Sequence, residues 1–108
     1  MRYRKVTGII RTEKLENVEK RLQKLQVGGV TVTQCKGFGE YEAFLKRQWL
    51  MTHARIEVFC ASERADDIAK AILEEAHTGS MGDGIVAVLP VEEVYRVRTK
   101  DKILQKEL

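Results

Sequence analysis

The chain has 108 residues, of which 44% are hydrophobic and 32% are charged, and its formal net charge is +3. This composition lies in the ordinary globular range and excludes a disordered chain, and the length predicts one domain over residues 1–108. The mild positive charge is spread along the chain, which argues against a nucleic-acid-binding arm. No long apolar stretch follows the basic N-terminus, so we expect a cytoplasmic protein without a signal peptide or a membrane span.

The first half of the chain predicts a strand, a helix and a second strand. Residues 3–11 mix apolar and polar positions as a strand does. Thr12 can cap the helix that follows, and Gly28-Gly29 can end it in the left-handed conformation. One face of that helix carries apolar residues at helical spacing, namely Leu15, Val18, Leu22 and Leu25. Residues 30–35 alternate and are β-branched, which predicts the second strand.

The pattern recurs after an irregular segment. Residues 39–53 scatter aromatic and charged side chains without a clean period, which predicts a loop with at most one helical turn. Residues 54–60 predict a third strand. Ser62 can cap a second helix and Gly79 can end it. The inner face of this helix would consist of Ala65, Ile68, Ala69, Ile72 and Ala76.

The end of the chain predicts two more strands. Residues 85–89 form an apolar strand that Pro90 would end, and residues 94–99 predict a short extra strand. The order βαββαβ with an extra C-terminal strand indicates an α+β fold of the ferredoxin-like type, with both helices on one face of a shared antiparallel sheet. Many activities use this scaffold, so the fold alone assigns no function.

Residues 78–84, Thr-Gly-Ser-Met-Gly-Asp-Gly, lie between the second predicted helix and the strand after it. Glycines allow positive φ, and successive N–H groups in such a turn form a concavity suited to phosphate. Taken alone, a helix stop followed by a tight Asp-Gly turn is the commoner explanation of this sequence.

Arg96-Val97-Arg98 is the second feature that suits an anion. Alternation along the predicted strand would direct both guanidinium groups to one face, where they could hold a phosphate chain by forked hydrogen bonds. Taken alone, an exposed edge strand with solvated charges is the commoner explanation.

Lys36-Gly37-Phe38-Gly39 opens a stretch that is similar to the aromatic box of RNA-recognition modules, which share this fold. That box belongs on the third strand, whereas here it ends the second. Glu40 and Glu42 would also repel phosphate. RNA binding is therefore the weaker alternative.

No group of residues suggests an active site or a metal site. Cys35 and Cys60 lie in predicted strands without a histidine placed by local spacing, so they lack the base that a nucleophile needs. Neither His53 nor His77 lies three or four positions from another ligand, which argues against zinc. We expect no catalysis, no metal and no required cofactor.

Together these features resemble the PII family of signal-transduction proteins over almost the whole chain. The glycine turn and the arginine pair belong to long, ordered and correctly spaced blocks. The matching blocks are residues 9–11, 14–15, 29–33, 36–39, 55–57, 78–84, 89–93 and 96–99.

The resemblance implies a homotrimer that binds adenine nucleotides as regulatory ligands in the clefts between subunits. The residues that would hold phosphates are Gly82, Asp83, Gly84, Arg96 and Arg98. Those that would line the cleft around the base and ribose are Ile9, Thr31, Gly37, Glu57 and Phe59. The effector loop would span residues 39–53, with Gly39, Tyr41, Phe44, Trp49 and His53 as its marked residues.

Three departures from the family pattern alter these expectations. Ile85 stands where the family has a lysine after Asp-Gly, which favours ADP or AMP over ATP. His53 stands where typical members have a lysine, and an imidazole holds phosphate less well. Tyr41 stands in place of the glutamine that helps bind magnesium and 2-oxoglutarate, and the loop is several residues short. Classical 2-oxoglutarate sensing is therefore not expected.

We therefore expect a non-catalytic, divergent PII-like regulator of a membrane transporter or a metabolic enzyme. A small anion such as bicarbonate would suit the space vacated by the outer phosphates. The loop aromatics could contact the target protein, or pack on the trimer itself. The alternatives are a trimeric interaction protein that no longer binds nucleotide, and a ferredoxin-like RNA-binding module.

Overall fold

The computed structural model describes residues 2–36 and 52–108. Two helices and four strands make up the regular structure, and a 3₁₀ turn precedes each helix. In chain order these elements are β1 (Tyr3–Arg11), α1 (Leu15–Lys24), β2 (Thr31–Lys36), β3 (Thr52–Ala61), α2 (Ala65–Ala76) and β4 (Gly84–Val91).

The four strands form one antiparallel sheet in the order β2-β3-β1-β4. The two strands at the centre are those that lead into the helices, and β2 and β4 lie at the edges. This arrangement of βαβ halves confirms the predicted α+β, ferredoxin-like fold.

The hydrophobic core lies between one face of the sheet and the two helices. Every second residue of the central strands points into it, as the period of a strand requires. The core residues below 2% exposure include Val6, Ile10, Ile56 and Val58 from the strands, and Val18, Leu22, Ile68 and Ile72 from the helices. Burial on this scale is the main force that holds the helices on the sheet.

The opposite face of the sheet is covered by neither helix and carries several apolar side chains. Phe59, Ile85 and Leu89 are 43%, 39% and 38% exposed. Lys5 and Glu57 form an ion pair on the same face, with Nζ and Oε2 3.0 Å apart. We call this surface the helix-free face.

Helix α1 ends earlier than its glycines predicted. Its last helical residue is Lys24, and Gln26 adopts the left-handed conformation (φ 57°) in place of Gly28. The guanidinium of Arg64 donates to the carbonyl oxygens of Leu25 and Gln26, which satisfies groups that the helix end leaves unpaired. This contact comes from the start of α2 and is invisible in the local sequence.

Pro90 does not end the fourth strand, which continues to Val91. Pro90 pairs with Arg4 of β1, and β4 has no neighbour on its other side. A proline fits an edge strand because its missing N–H can face outward, where no ladder bond is needed.

The predicted strand over residues 94–99 is not formed. The described segment makes instead a hairpin closed by a single bridge between Tyr95 and Lys102, with a turn at 97–99. The hydroxyl of Tyr3 donates to the carbonyl oxygen of Ile103 and ties this hairpin to the start of β1.

Residues 39–51 of the predicted loop at 39–53 lie outside the described residues. Thr52 and His53 are described, and they belong to β3. No helix in the described chain has the length and apolarity needed to cross a membrane.

Replacement of Gly84 by alanine should destabilise the protein by more than about 3 kcal/mol. A Cβ at this position would lie 1.7 Å from the carbonyl oxygen of Ile9, and its φ of 108° is unfavourable for alanine. Urea unfolding at fixed protein concentration measures the loss. Gly29→Ala is the matched control, since a Cβ there meets nothing within 4 Å, and its effect should stay within about 0.5 kcal/mol. Equal effects of the two substitutions would contradict this explanation of Gly84.

Candidate functional site

The glycine turn at residues 78–84 is organised by the side chain of Asp83. One carboxylate oxygen accepts hydrogen bonds from the amides of Thr78 and Gly79, each at 2.8 Å. The other accepts from the hydroxyl of Thr78 and from Nε of Arg11, the latter at 3.1 Å. The carboxylate therefore closes the turn on itself and fastens it to the end of β1.

These donors also set the ionisation of Asp83. Partial burial alone would raise the pKa of this carboxyl, but hydrogen bonds from Thr78, Gly79 and Arg11 outweigh burial and hold the pKa far below its usual range. Asp83 is thus a fixed negative charge that faces its own turn. We predicted that Asp83 would hold phosphate; its oxygens bond to groups of its own chain, and a role in binding phosphate stays a prediction.

Two side chains from the sheet hold the central carbonyl groups of the turn. Nη2 of Arg11 donates to the carbonyl oxygen of Met81 at 2.7 Å. Nε2 of His53 lies 3.1 Å from the carbonyl oxygen of Gly82. Arg11 and His53 are direct cross-strand partners in the β1–β3 register, so they approach the turn together.

The amide groups divide into two sets. Those of Thr78, Gly79 and Ser80 bond to side chains within the turn, and that of Asp83 donates to the carbonyl oxygen of Ser80 at 3.3 Å. Within the described residues, the amides of Met81 and Gly82 make no hydrogen bond. Gly82 has a φ of 95°, a conformation that turns successive amides inward in anion-binding turns.

The predicted base and ribose residues share the helix-free face. Thr31 pairs with Glu57 across β2 and β3, and Ile9 lies one strand further on β1. Phe59 follows Glu57 on the same face of β3. Gly37 lies outside the described residues, as do Gly39, Tyr41, Phe44 and Trp49 of the loop.

Glu57 is ionised and paired in this arrangement. The hydrogen bond from Lys5 lowers the pKa of its carboxyl, and Arg55 adds attraction with Nε 3.7 Å from Oε1. A ligand that bonds to Glu57 would therefore meet a carboxylate, which only accepts hydrogen bonds.

Arg96 and Arg98 do not lie on a strand, but they still share a pocket. Both line a charged depression of about 550 Å³ in the C-terminal hairpin, together with Lys102. Nη2 of Arg96 lies 3.7 Å from Oε1 of Glu107, a pair that is exposed enough to exchange for another anion.

Within one chain the glycine turn and the arginine pair lie at opposite ends of β4. The turn precedes Gly84, which pairs with Ile10 near the end of β1. The arginine hairpin follows Val91 and is tied to Tyr3 at the start of β1. Eight residues of strand separate the two ends, a span of roughly 25 Å. A ligand that touches both groups must therefore bridge two copies of the chain.

Two contributors to the turn were missed by sequence reasoning. Arg11 was noted only within a family block, and Thr78 only as the first residue of the glycine turn. A threonine hydroxyl can bond to nearby groups in a turn, so Thr78 could have been recognised from its type and its place at the start of the glycine turn. The role of Arg11 depends on strand register, which the local sequence does not contain.

Among the described residues no cluster of three or more histidine, cysteine or acidic side chains could hold a metal ion. The structure is an α+β domain with a glycine turn at the end of its sheet. Comparison with known proteins identifies the family of this domain. The family model for nitrogen regulatory protein P-II matches residues 3–101, and the chain belongs to this PII family of regulatory signalling proteins.

Individual relatives are named nitrogen regulatory proteins, and this chain covers most of their length. The nitrogen regulatory protein P-II of Azospirillum brasilense is 36% identical over 106 residues, covering 92% of this chain and 95% of that protein. The nitrogen regulatory protein GlnK2 of Haloferax mediterranei is 39% identical over 87% of this chain and 82% of its own length. The crystal structure of Arabidopsis thaliana PII bound to citrate superposes with a TM-score of 0.79 at 33% identity, covering 94% of this chain and 88% of that chain.

Asp83→Asn should destabilise the folded protein by about 1–3 kcal/mol at neutral pH, because charge-assisted hydrogen bonds are lost. Since the folded-state pKa lies below the ordinary carboxyl value of about 3.9, the contribution is complete above that value and is lost as pH falls toward the folded pKa. Urea unfolding at pH 7 and pH 3 should therefore show a smaller difference from wild type at the lower pH. Asp101→Asn, at an exposed carboxylate, should change stability by less than about 0.5 kcal/mol; a pH-independent effect of Asp83→Asn would refute the assignment.

Proposed function

We propose that this protein is a non-catalytic cytoplasmic regulator that binds an adenine nucleotide in the clefts of a homotrimer. The nucleotide phosphates lie between the glycine turn of one subunit and Arg96 and Arg98 of the next. The adenosine part lies along the helix-free face, near Ile9, Thr31 and Glu57. The bound nucleotide controls a target protein, a transporter or a metabolic enzyme, through the loop after Gly39.

The observation that carries this proposal is the division of the anion-binding groups between the two ends of β4. Each group alone offers only half a site, whereas two copies side by side complete it. The exposed apolar residues of the helix-free face supply the reason for association, because contiguous apolar surface of this kind is stabilised by burial between subunits.

The turn favours a nucleotide with few phosphates. Ile85, the residue after Asp-Gly, is 39% exposed and brings no charge to the site. Arg11 contacts the turn, but its guanidinium is already bonded to Asp83 and Met81. ADP and AMP therefore match the available charge better than ATP, and a small anion such as bicarbonate can occupy the remaining space.

The register of the sheet supports coupling between this site and the loop. Lys36 pairs with Thr52, so the loop starts and ends at this pair. The next pair in the ladder is Cys35 with His53. His53 in turn contacts Gly82 of the turn. A ligand that favours one arrangement of the turn will shift the populations of loop arrangements by the same differential free energy.

Calorimetry should detect binding of AMP and ADP, with ATP binding more weakly. Replacing both Arg96 and Arg98 by alanine should weaken binding by about 2–4 kcal/mol, because each charge-assisted bond contributes about 1.5–3 kcal/mol and the losses are not fully additive. Lys20→Ala with Lys70→Ala removes the same net charge from the helices and should leave affinity within about twofold. Absence of binding by wild type at millimolar nucleotide would exclude the sensor and leave a trimeric interaction protein.

Sedimentation equilibrium should give a mass near three chains of 12.4 kDa. Leu89→Lys would place a charge on the helix-free face and should shift the equilibrium toward monomer, because an unpaired charge at a subunit contact is costly. Leu73→Lys is the matched control, since Leu73 is 54% exposed on the helix side. A monomeric wild type at micromolar concentration would overturn the shared site.

A further inference from the structure

The cross-strand pair Arg11–His53 fixes two successive peptide groups of the glycine turn. Because a carbonyl oxygen can only accept, Nε2 of His53 carries the proton in its contact with Gly82. Nη2 of Arg11 likewise donates to the carbonyl oxygen of Met81. Both donors come from paired residues at the end of the β1–β3 ladder, so the spacing between them is set by the sheet.

A hydrogen bond that fixes a carbonyl oxygen also fixes the direction of the N–H in the same peptide group. In a trans peptide the N–H points opposite to the C=O, and the described chain contains no cis peptide bond. With the Met81 carbonyl directed at Arg11, the N–H of Gly82 is directed away from it. This amide makes no hydrogen bond with the described residues, so it remains available to an incoming acceptor.

His53 is held too firmly to be an incidental contact. Its side chain is 1% exposed, and within the described residues it is the polar side chain that lies in the buried class. Among the described residues, its other ring nitrogen, Nδ1, is buried without a partner. A buried unsatisfied nitrogen is unfavourable, so stability alone does not favour a histidine at this position.

We propose that Arg11 and His53 are positioning residues for the ligand's phosphate group. They orient the turn before the ligand arrives, so that the Gly82 amide meets the phosphate without a rearrangement. Preorganisation of this kind raises affinity by removing the cost of ordering the site on binding. The inference rests on the proposed nucleotide site and assigns to it two residues that do not themselves need to touch the ligand.

The test compares AMP with adenosine, which lacks the phosphate, by calorimetry on the full chain. His53→Phe keeps an aromatic ring but removes the hydrogen-bond donor. The affinity of this variant for AMP should fall about tenfold, the equivalent of one hydrogen bond. Its affinity for adenosine should change by less than about twofold, because the phosphate subsite alone is altered. His53→Gln restores an N–H donor and should recover most of the loss for AMP. Lys70→Met, at an exposed residue of α2, is the control and should behave as wild type.

Arg11→Met tests the second donor and keeps the inference testable if a substitution at position 53 prevents folding. It should also lower the ratio of AMP to adenosine affinity. The double variant should lose less than the sum of the two single losses, because both side chains act on one turn. An unchanged ratio in both single variants, or equal losses for AMP and adenosine, would overturn the inference while leaving the nucleotide site intact. Failure of the wild type to bind either ligand would instead reject the proposed function.

Discussion

The arrangement of the candidate site depends on one ionised carboxylate that is surrounded by its own chain. Asp83 accepts hydrogen bonds from two amides, a hydroxyl and a guanidinium, and these bonds fix the path of the chain between α2 and β4. The strand that follows then starts at Gly84, in close contact with the backbone of Ile9. If the carboxyl group were neutral, its hydrogen bonds to the amides of the turn would be weaker. The path of the chain into β4 would then be less firmly fixed.

The polar network of the turn is distinct from the packing that holds the domain together. The core between the helices and the sheet consists almost entirely of apolar side chains among the described residues. The polar contacts of the turn lie at the end of the sheet where β1 stops and β3 starts. They are therefore separate from the hydrophobic core.

Much of the fold could be predicted because it follows from local patterns. Strand β1 was predicted with its observed bounds, since buried and partly buried residues alternate from Val6 to Arg11. The errors arose where a distant contact overrides a local preference. Gln26 takes the left-handed position because Arg64 satisfies the end of α1, and Pro90 is tolerated because β4 is an edge strand. Neither fact can be read from neighbouring residues.

The candidate site shows a similar division. Its glycine turn and arginine pair are visible in the sequence because both belong to ordered and correctly spaced blocks, whereas each feature taken alone has a commoner structural explanation. Their physical separation along β4 and the inward orientation of Asp83 are not visible, since both depend on strand pairing and on side-chain direction. The residues that shape the turn from the sheet, Arg11 and His53, become apparent only when the register is known.

Pro90 has a further consequence for how copies of this chain can meet. A proline on the outer border of β4 offers no N–H to an approaching strand, so the sheet cannot be extended there by an uninterrupted ladder. Lateral growth into a continuous sheet or a fibre is thereby discouraged on that side.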